Sequence, residues 1–291
     1  MCDIYFFNVG VNSKSASKGL ISPIIPDANR FELVPIPEEE ENPKIKEALK
    51  KKGFDVGNYT GDLYTYKNIF NKNDYPEEIG NVLEKITSKY GDIPVHFDPD
   101  FTNFTFGGVA DNKEKSEIDN SISCIQPGDY LFFWAGLTPC SSERHSPNYR
   151  QADFYFVGYF VIEKRVKLSE FKQDARLKGN AHVRLYKVLC KYFDSKLPDI
   201  ENLENYLSLD ILIGDKQKSK KFNKAIPFDP FGEKELGDIL KDANGNLIRD
   251  KLGISNRKKS IIGSNFRCNR RVFQGNEAAD FLKYICKWLD K

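Results

Sequence analysis

Two runs of aromatic and β-branched residues place the strongest constraint on how this chain can fold. They occupy residues 130–135 and 154–162, and the first follows a turn at Pro127-Gly128-Asp129. Short apolar runs of this composition are typical of strands that are buried on both faces. A polar stretch over residues 137–153 joins them, so we expect an antiparallel pair with a bulge or tight bend at Gly158.

Further segments extend this strand pair into an α+β fold. Residues 3–9 predict a third central strand, because they are short, apolar and rich in strand-forming residues. Patterned apolar residues predict helices over residues 76–90, 183–193 and 277–289. We therefore expect a mixed, largely antiparallel sheet or open barrel with flanking helices.

Charge is distributed unevenly along the 291 residues. Residues 1–210 contain 26 basic and 32 acidic residues, whereas residues 211–291 contain 18 and 10. A basic C-terminal segment can attract a polyanion, although an ordinary solvated surface gives the same count. We expect one compact domain over residues 1–291, either undivided or with a sheet lobe at 1–170 and a basic C-terminal lobe at 171–291.

The composition disfavours several classes of protein. The longest apolar runs have about seven residues, far fewer than the ~20 that span a bilayer, and no leader-like pattern opens the chain. The six cysteines form no C-x-x-C pair, and no phosphate-loop, dinucleotide-binding or H-E-x-x-H motif occurs. We expect a cytoplasmic protein with reduced thiols and no membrane association.

Potential catalytic and metal-binding side chains are most concentrated in one short segment, where His96, Asp98 and Asp100 are each two residues apart. In a regular strand, such residues face the same side and their polar groups would converge. A cluster of this kind can bind a divalent ion or divide acid and base roles between carboxylates. We predict all three as catalytic residues and as ligands of a divalent metal such as Mg²⁺, Mn²⁺ or Fe²⁺.

Two alternatives remain open for this segment. Asp98-Pro99-Asp100 can form a turn in which Asp98 caps backbone amides. His96, Asp98 and the distant His182 also have the composition of a two-histidine, one-carboxylate iron site, although nothing in the sequence brings His182 close. A hydrogen-bonded structural histidine at a helix start is the plainer interpretation of His182.

Two further reactive groups carry weaker signals. His145 lies in the polar stretch beside charged residues, where we expect it to be solvated. Cys140 is a free thiol near the same stretch, and it would need a neighbouring base to act as a nucleophile.

Basic and aromatic residues suggest nucleic acid or a nucleotide as the partner. Guanidinium groups can fork onto phosphates, and aromatic rings such as those of Phe101 and Phe104 can stack on an extruded base. A solvated basic surface explains the charges equally well. The candidate nucleic-acid-binding residues are Lys216, Lys218, Lys220, Arg267, Arg270, Arg271 and Trp134.

Several segments, in order along most of the chain, carry a resemblance to a known family. They are residues 6–12, 22–27, 31–38, 96–101, 104–107, 127–137 and 155–161, with later echoes at 180–184 and 214–220. Together they resemble the family called nucleotide modification associated domain, type three. That resemblance implies a setting in the modification of nucleic-acid bases more than a particular reaction.

The expected function is therefore modification of a base or nucleotide in DNA or RNA, with His96, Asp98 and Asp100 at the centre. The family pattern favours an acidic residue after Gly107, whereas this chain has Gly108. If that acid belongs to the family's site, the two aspartates must suffice here.

A non-catalytic module that binds modified bases is the alternative function. The turn at residues 127–129 followed by two apolar strands resembles the barrels of PUA-like and EVE-like domains. That likeness concerns the fold and implies no activity by itself.

Overall fold

The structure, a computed structural model, describes residues 2–10, 20–37, 51, 64–109, 122–140, 153–192, 209–227 and 270–289. The strands within these ranges are β1 (Asp3–Asn8), β2 (Pro23–Ile25), β3 (Arg30–Phe31), β4 (Ile36–Pro37), β5 (Tyr64–Thr65), β6 (Pro94–His96), β7 (Thr105–Val109), β8 (Tyr130–Pro139), β9 (Asp153–Lys167), β10 (Leu209–Gly214), β11 (Lys220–Pro227) and β12 (Arg270–Gln274). The α-helices in the same ranges include α1 (Tyr66–Ile69), α2 (Glu77–Tyr90), α3 (Ala181–Tyr192) and α4 (Gly275–Leu289).

The two long aromatic segments form the antiparallel pair β8–β9 at the centre of the larger sheet. A bulge interrupts the pair, since Phe133 lies opposite Gly158 while Trp134 lies opposite Phe156. Gly158 is needed there because a Cβ would lie 2.5 Å from the ring of Phe101 and 2.7 Å from the carbonyl oxygen of Lys220. The predicted pairing and its irregularity at Gly158 are confirmed.

The larger sheet is mixed and mostly antiparallel, and it curls into a half-barrel. Its main path runs β12-β1-β8-β9-β10-β7, with β1 and β8 parallel. β11 also pairs with β9, and the short strands β2 and β3 join at the far end of β8. The predicted α+β class and its three central strands are therefore confirmed.

Aromatic rings fill the concave side of the curl. Phe106 of β7 meets Phe7 of β1 edge-on, with ring centroids 4.7 Å apart, and meets Phe133 at 5.3 Å. Edge-to-face contacts of this kind add to the stabilisation that burial of the rings already provides. β7 ends the strand order, yet the curl returns it to a strand near the opposite end.

A smaller sheet, β4-β6-β5, contains His96, the first residue of the predicted catalytic segment, at the end of β6. α2 packs over this region and buries Ile79, Val82, Leu83 and Ile86, which lie on one side of the helix. Val95 of β6 belongs to the same apolar cluster. The predicted helix over residues 76–90 is confirmed, and β6 ends at His96.

The C-terminal part of the chain contributes to the same sheet as the N-terminal part. β10 and β11 pair with β9, and β12 pairs with β1. α4 covers β1 and β8 through Phe281, whose ring lies 5.4 Å from Phe6 and 5.1 Å from Phe132. The division into two lobes near residue 170 stays a prediction.

The absence of membrane association is a prediction from the apolar runs of the sequence. Within the described ranges, no helix has the length and apolar character needed to cross a membrane.

Candidate active site

The chain leaves the strand geometry directly after His96. β6 ends at that residue, and the segment that follows forms a turn closed by Asp100 and Thr105, whose backbone groups exchange two hydrogen bonds of 2.9 and 3.1 Å. Phe104 completes the turn with a left-handed backbone (φ 54°). The period-two geometry of a strand therefore does not extend from His96 through Asp98 to Asp100.

Asp100 stabilises this turn from inside. Its Oδ1 accepts hydrogen bonds from the backbone amides of Thr102 (2.8 Å) and Asn103 (3.2 Å), and its Oδ2 accepts one from Nδ2 of Asn103 (2.7 Å). The residue is 2% exposed. The turn that the sequence left open as an alternative is therefore present, but the residue that caps its amides is Asp100 and not Asp98 as expected.

Asn180 joins the turn to the start of α3. Its Oδ1 accepts from the backbone amide of His182 (3.0 Å), which is the usual bond of a helix N-cap. Its Nδ2 donates to Oδ1 of Asp98 (3.3 Å) and to Oγ1 of Thr105 (3.2 Å). Asn180 is fully buried, so one side chain both begins the helix and holds a carboxylate.

His96, Asp98 and His182 converge into a buried cluster. One potential ligand atom from each lies within 4.8 Å of the other two. Nε2 of His182 is 3.4 Å from Oδ2 of Asp98, and the two imidazole rings meet edge-on with centroids 4.6 Å apart. The histidines are 7% exposed and the Asp98 side chain 3%, so solvent has little access to any of them.

Gly107 of β7 makes room for this cluster. Its backbone amide donates to Oδ2 of Asp98 (2.9 Å). A Cβ at this position would overlap Cδ2 of His182 and lie 2.5 Å from Nε2. No other residue type fits without moving the imidazole, because even the smallest side chain adds a Cβ.

The neighbouring Gly108 bears on the missing family acid. Successive residues of a strand face opposite sides, and Gly107 lies against His182. Position 108 therefore faces away from the cluster, and it pairs with Asp210 of β10.

The cluster can do two kinds of chemistry. A carboxylate beside an imidazole can orient it for general acid–base catalysis. Two imidazoles and a carboxylate can also hold a divalent ion and leave coordination positions open for a substrate.

The structure thus keeps together two of the three predicted site residues and adds a third. His96 and Asp98 lie in the cluster, while Asp100 supports the adjacent turn. His182 enters through the two-histidine, one-carboxylate combination. The roles of Asn180 and Gly107 were not predicted from the sequence, and an asparagine two residues before His182 was the one local signal of a helix cap.

The three lysine candidates lie beside the turn that Asp100 and Thr105 close. Lys216 and Lys218 belong to the turn between β10 and β11, Lys220 begins β11, and all three are exposed. The backbone amide of Gly214, which ends β10, donates to the carbonyl of Phe104 (2.7 Å). The hairpin thus starts next to the 98–107 segment.

The arginine group stands elsewhere in the strand order. Arg270 and Arg271 lie in β12, paired with Phe6 and Tyr5. β12 is at the opposite end of the strand order from β7, but the contact of Phe7 with Phe106 brings β1, the partner of β12, against β7. Arg267 lies outside the described residues.

The aromatic candidates are engaged in the core. Trp134 is 3% exposed and packs edge-on against Phe154 at 5.3 Å. Phe101 and Phe104 both pack against Phe160, at 5.3 and 5.5 Å. Trp134 is thus buried in the core, whereas Phe101 and Phe104 support the sheet and remain partly exposed.

Cys140 is the weaker candidate that lies within the described residues. Burial raises the pKa of the Cys140 thiol to about 11, which disfavours the nucleophilic thiolate at neutral pH. His145 lies outside the described residues.

An ionic network supports the segment that leads into Asn180. Arg176 donates to Glu163 (2.8 Å), to Asp174 (2.8 Å) and to the carbonyl of Gly214 (3.3 Å). The hydrogen bonds from Arg176 hold the pKa of both carboxyls below their usual range. The 3₁₀ turn Ala175–Gly179 is thereby tied to β9 and β10 directly before the cluster residue His182.

Comparison with known proteins identifies the family of the chain. The family model of nucleotide modification associated domain 3 matches residues 4–198. The resemblance noted in the sequence is confirmed, and the matched range contains all the cluster residues but ends before the echo at residues 214–220. No curated protein and no solved structure matches the chain.

Proposed function

Because the chain belongs to the nucleotide modification associated domain 3 family, we propose that it is an enzyme that modifies a base or nucleotide of DNA or RNA. The family supports a role associated with nucleotide modification in general terms. In our proposal the catalytic centre consists of His96, Asp98 and His182. The observation that carries it is their buried convergence, with ligand atoms within 4.8 Å of one another.

A purely structural role accounts poorly for this convergence. A structural histidine at a helix start needs one partner, whereas His182 here meets a carboxylate and a second imidazole. Ionisable groups brought together in this way are more typical of functional sites.

The non-catalytic alternative has weaker support. A module that binds modified bases needs an aromatic face open to the base, and among the candidate rings Trp134 is buried against Phe154. An enzyme needs polar groups that converge near a reacting atom, and the cluster supplies them. We therefore favour the enzyme.

The experiment that tests the proposal is mass spectrometry of nucleosides from the DNA and RNA of cells that express the chain. We compare the wild type with a deletion, with Asp98→Asn and with His182→Gln. A matched control is Glu84→Gln, which neutralises a carboxylate in an exposed pair with Lys72.

We expect a modified nucleoside that is present with the wild type and the control and disappears in the deletion and both cluster variants. A nucleoside profile that is the same in all five strains would overturn the proposal. If Asp98→Asn and His182→Gln retain the modification, the role in nucleotide modification stands, but His96, Asp98 and His182 are not its catalytic centre.

A further inference from the structure

We propose that His96, Asp98 and His182 bind one divalent transition-metal ion, with Asn180 and Gly107 as positioning residues. The inference deepens the proposed function, on which it rests for the ion's role in catalysis. The ion would be held by two imidazoles and one carboxylate. Three protein ligands leave coordination positions open, as catalytic and not structural metal sites do.

The spacing of the facing atoms fits a shared ion better than a direct hydrogen bond. Nε2 of His182 and Oδ2 of Asp98 are 3.4 Å apart. Two ligand atoms that each lie about 2.1 Å from one ion are roughly 3.0–3.4 Å apart, depending on the coordination geometry. Well-formed N–H···O hydrogen bonds are shorter, about 2.7–3.2 Å.

The carboxylate is oriented from both sides by groups that are not ligands. The amide of Gly107 donates to Oδ2 and the side chain of Asn180 donates to Oδ1 of Asp98. Such hydrogen bonds fix the direction of a ligating carboxylate and its basicity. Asn180 also sets the backbone of His182, so it positions two of the three ligands.

The ligand types select the class of ion. Mg²⁺, Ca²⁺ and Mn²⁺ suit oxygen ligands, whereas imidazole suits Fe²⁺, Ni²⁺, Cu²⁺ and Zn²⁺. With His182 in place of Asp100, the site has two nitrogen donors and one carboxylate. Mg²⁺, which the sequence left among the candidates, thus becomes the poorest fit.

The test is calorimetric titration of the full chain, freed of metal by a chelator, with Mn²⁺, Co²⁺, Zn²⁺ and Mg²⁺, and anaerobically with Fe²⁺. We expect one transition-metal ion per chain and binding of Mg²⁺ that is more than about tenfold weaker. Failure of every transition-metal ion to bind would overturn the inference.

Variants assign the site. Asp98→Asn and His182→Gln keep the side-chain volume and should weaken binding by more than about 100-fold, while Glu84→Gln should bind as the wild type does. Circular dichroism checks that each variant is folded. Because two different ligands are substituted, the test remains valid if one of the two variants fails to fold. Binding that survives both folded variants would mean an adventitious surface ion and would overturn the assignment.

Asn180→Ser separates positioning from folding. Serine keeps an acceptor for the helix cap but loses the amide group that donates to Asp98, so we expect binding about 10–100-fold weaker in a protein with normal helix content. The visible absorption of bound Co²⁺ should also change, which a purely structural role would not predict. Wild-type affinity and spectrum in Asn180→Ser would remove it as a positioning residue.

Ion binding and nucleoside chemistry are measured separately. An ion that binds at the cluster in a chain that leaves nucleosides unchanged would keep this inference and defeat the proposed function. Nucleoside modification that depends on Asp98 in a chain that binds no ion would keep the proposed function and defeat this inference.

Discussion

The imidazole of His182 faces the carboxylate of Asp98 at 3.4 Å, beside a position of β7 that has no side chain. At that position, the amide of Gly107 bonds the carboxylate while its Cα approaches the imidazole. Because a strand and a helix start both meet the cluster here, small changes in either of them should reach it.

Gly107→Ala should displace the imidazole of His182, since the new Cβ would overlap Cδ2. We expect a loss of about 1–3 kcal/mol in the free energy of unfolding and at least about tenfold weaker ion binding. Urea unfolding and calorimetry measure the two effects. Gly80→Ala is the control, because its Cβ would meet the carbonyl oxygen of Lys72 at 2.9 Å and not the cluster. Ion affinity equal in both variants would contradict the prediction.

Asp100→Ala should damage the turn without removing a ligand. Three N–H donors lose their acceptor, which should cost about 1–3 kcal/mol of unfolding free energy. Ion affinity should change by less than about threefold, well below the effect expected for a ligand or its support. If instead Asp100→Ala abolishes ion binding and leaves unfolding unchanged, Asp100 is the ligand that its sequence spacing predicted.

Asp174 should make the stability of the fold depend on pH. The bond from Arg176 lowers its pKa in the folded state, below the ~3.9 of an unfolded aspartate. Its contribution is therefore present above about pH 4 and is lost as the pH falls below that value. The free energy of unfolding of the wild type should fall more steeply below about pH 4 than that of Asp174→Asn.

Urea unfolding at a series of pH values checks this difference. Asp280→Asn is the control, because Asp280 forms an exposed pair with Lys283 and such pairs contribute little. Parallel curves for the wild type and Asp174→Asn would show that the Arg176 network does not stabilise the fold.

The lysine hairpin should contribute to any contact with a nucleic acid, because its lysines are exposed and it starts beside the 98–107 segment. Replacing Lys216, Lys218 and Lys220 with alanine should lower the slope of log affinity against log salt by roughly 0.7–0.9 for each phosphate that is no longer neutralised. Affinity should fall about equally for all sequences, since phosphate contacts do not read bases.

Fluorescence anisotropy with DNA and RNA oligonucleotides at several salt concentrations measures that slope. An arginine variant at positions 267, 270 and 271 tests the other group, and alanine at Lys85, Lys283 and Lys287 is a charge-matched control of exposed lysines. A slope that falls only in the arginine variant would reverse the assignment. A weak salt dependence in the wild type would favour a free nucleotide as substrate.

Local pattern was enough to predict the centre of the fold. β8, β9 and α2 depend on the composition and spacing of neighbouring residues, which the sequence displays directly. Even the irregularity at Gly158 follows from a glycine within an otherwise aromatic strand.

The sequence predicted only two of the three cluster residues, because the third comes from a distant element. His96 and Asp98 are close in sequence, whereas His182 arrives through the packing of α3 against β6 and β7. The role of Asp100 depended on whether the chain continued as a strand or turned. Two nearby backbone amides stabilise the turn, and no spacing rule distinguishes these outcomes.

The alternation of β7 links the catalytic proposal to correct strand pairing. Phe106 packs on Phe7 on one side of the strand, and Gly107 lies against His182 on the other. A slip of one residue against β10 would exchange the two sides, and a phenyl ring would then stand where not even a methyl group fits. Under the catalytic proposal, chains in which β7 has slipped would be inactive. The specific activity of a preparation would then be proportional to the fraction of molecules in which β7 pairs with β10 in the correct register.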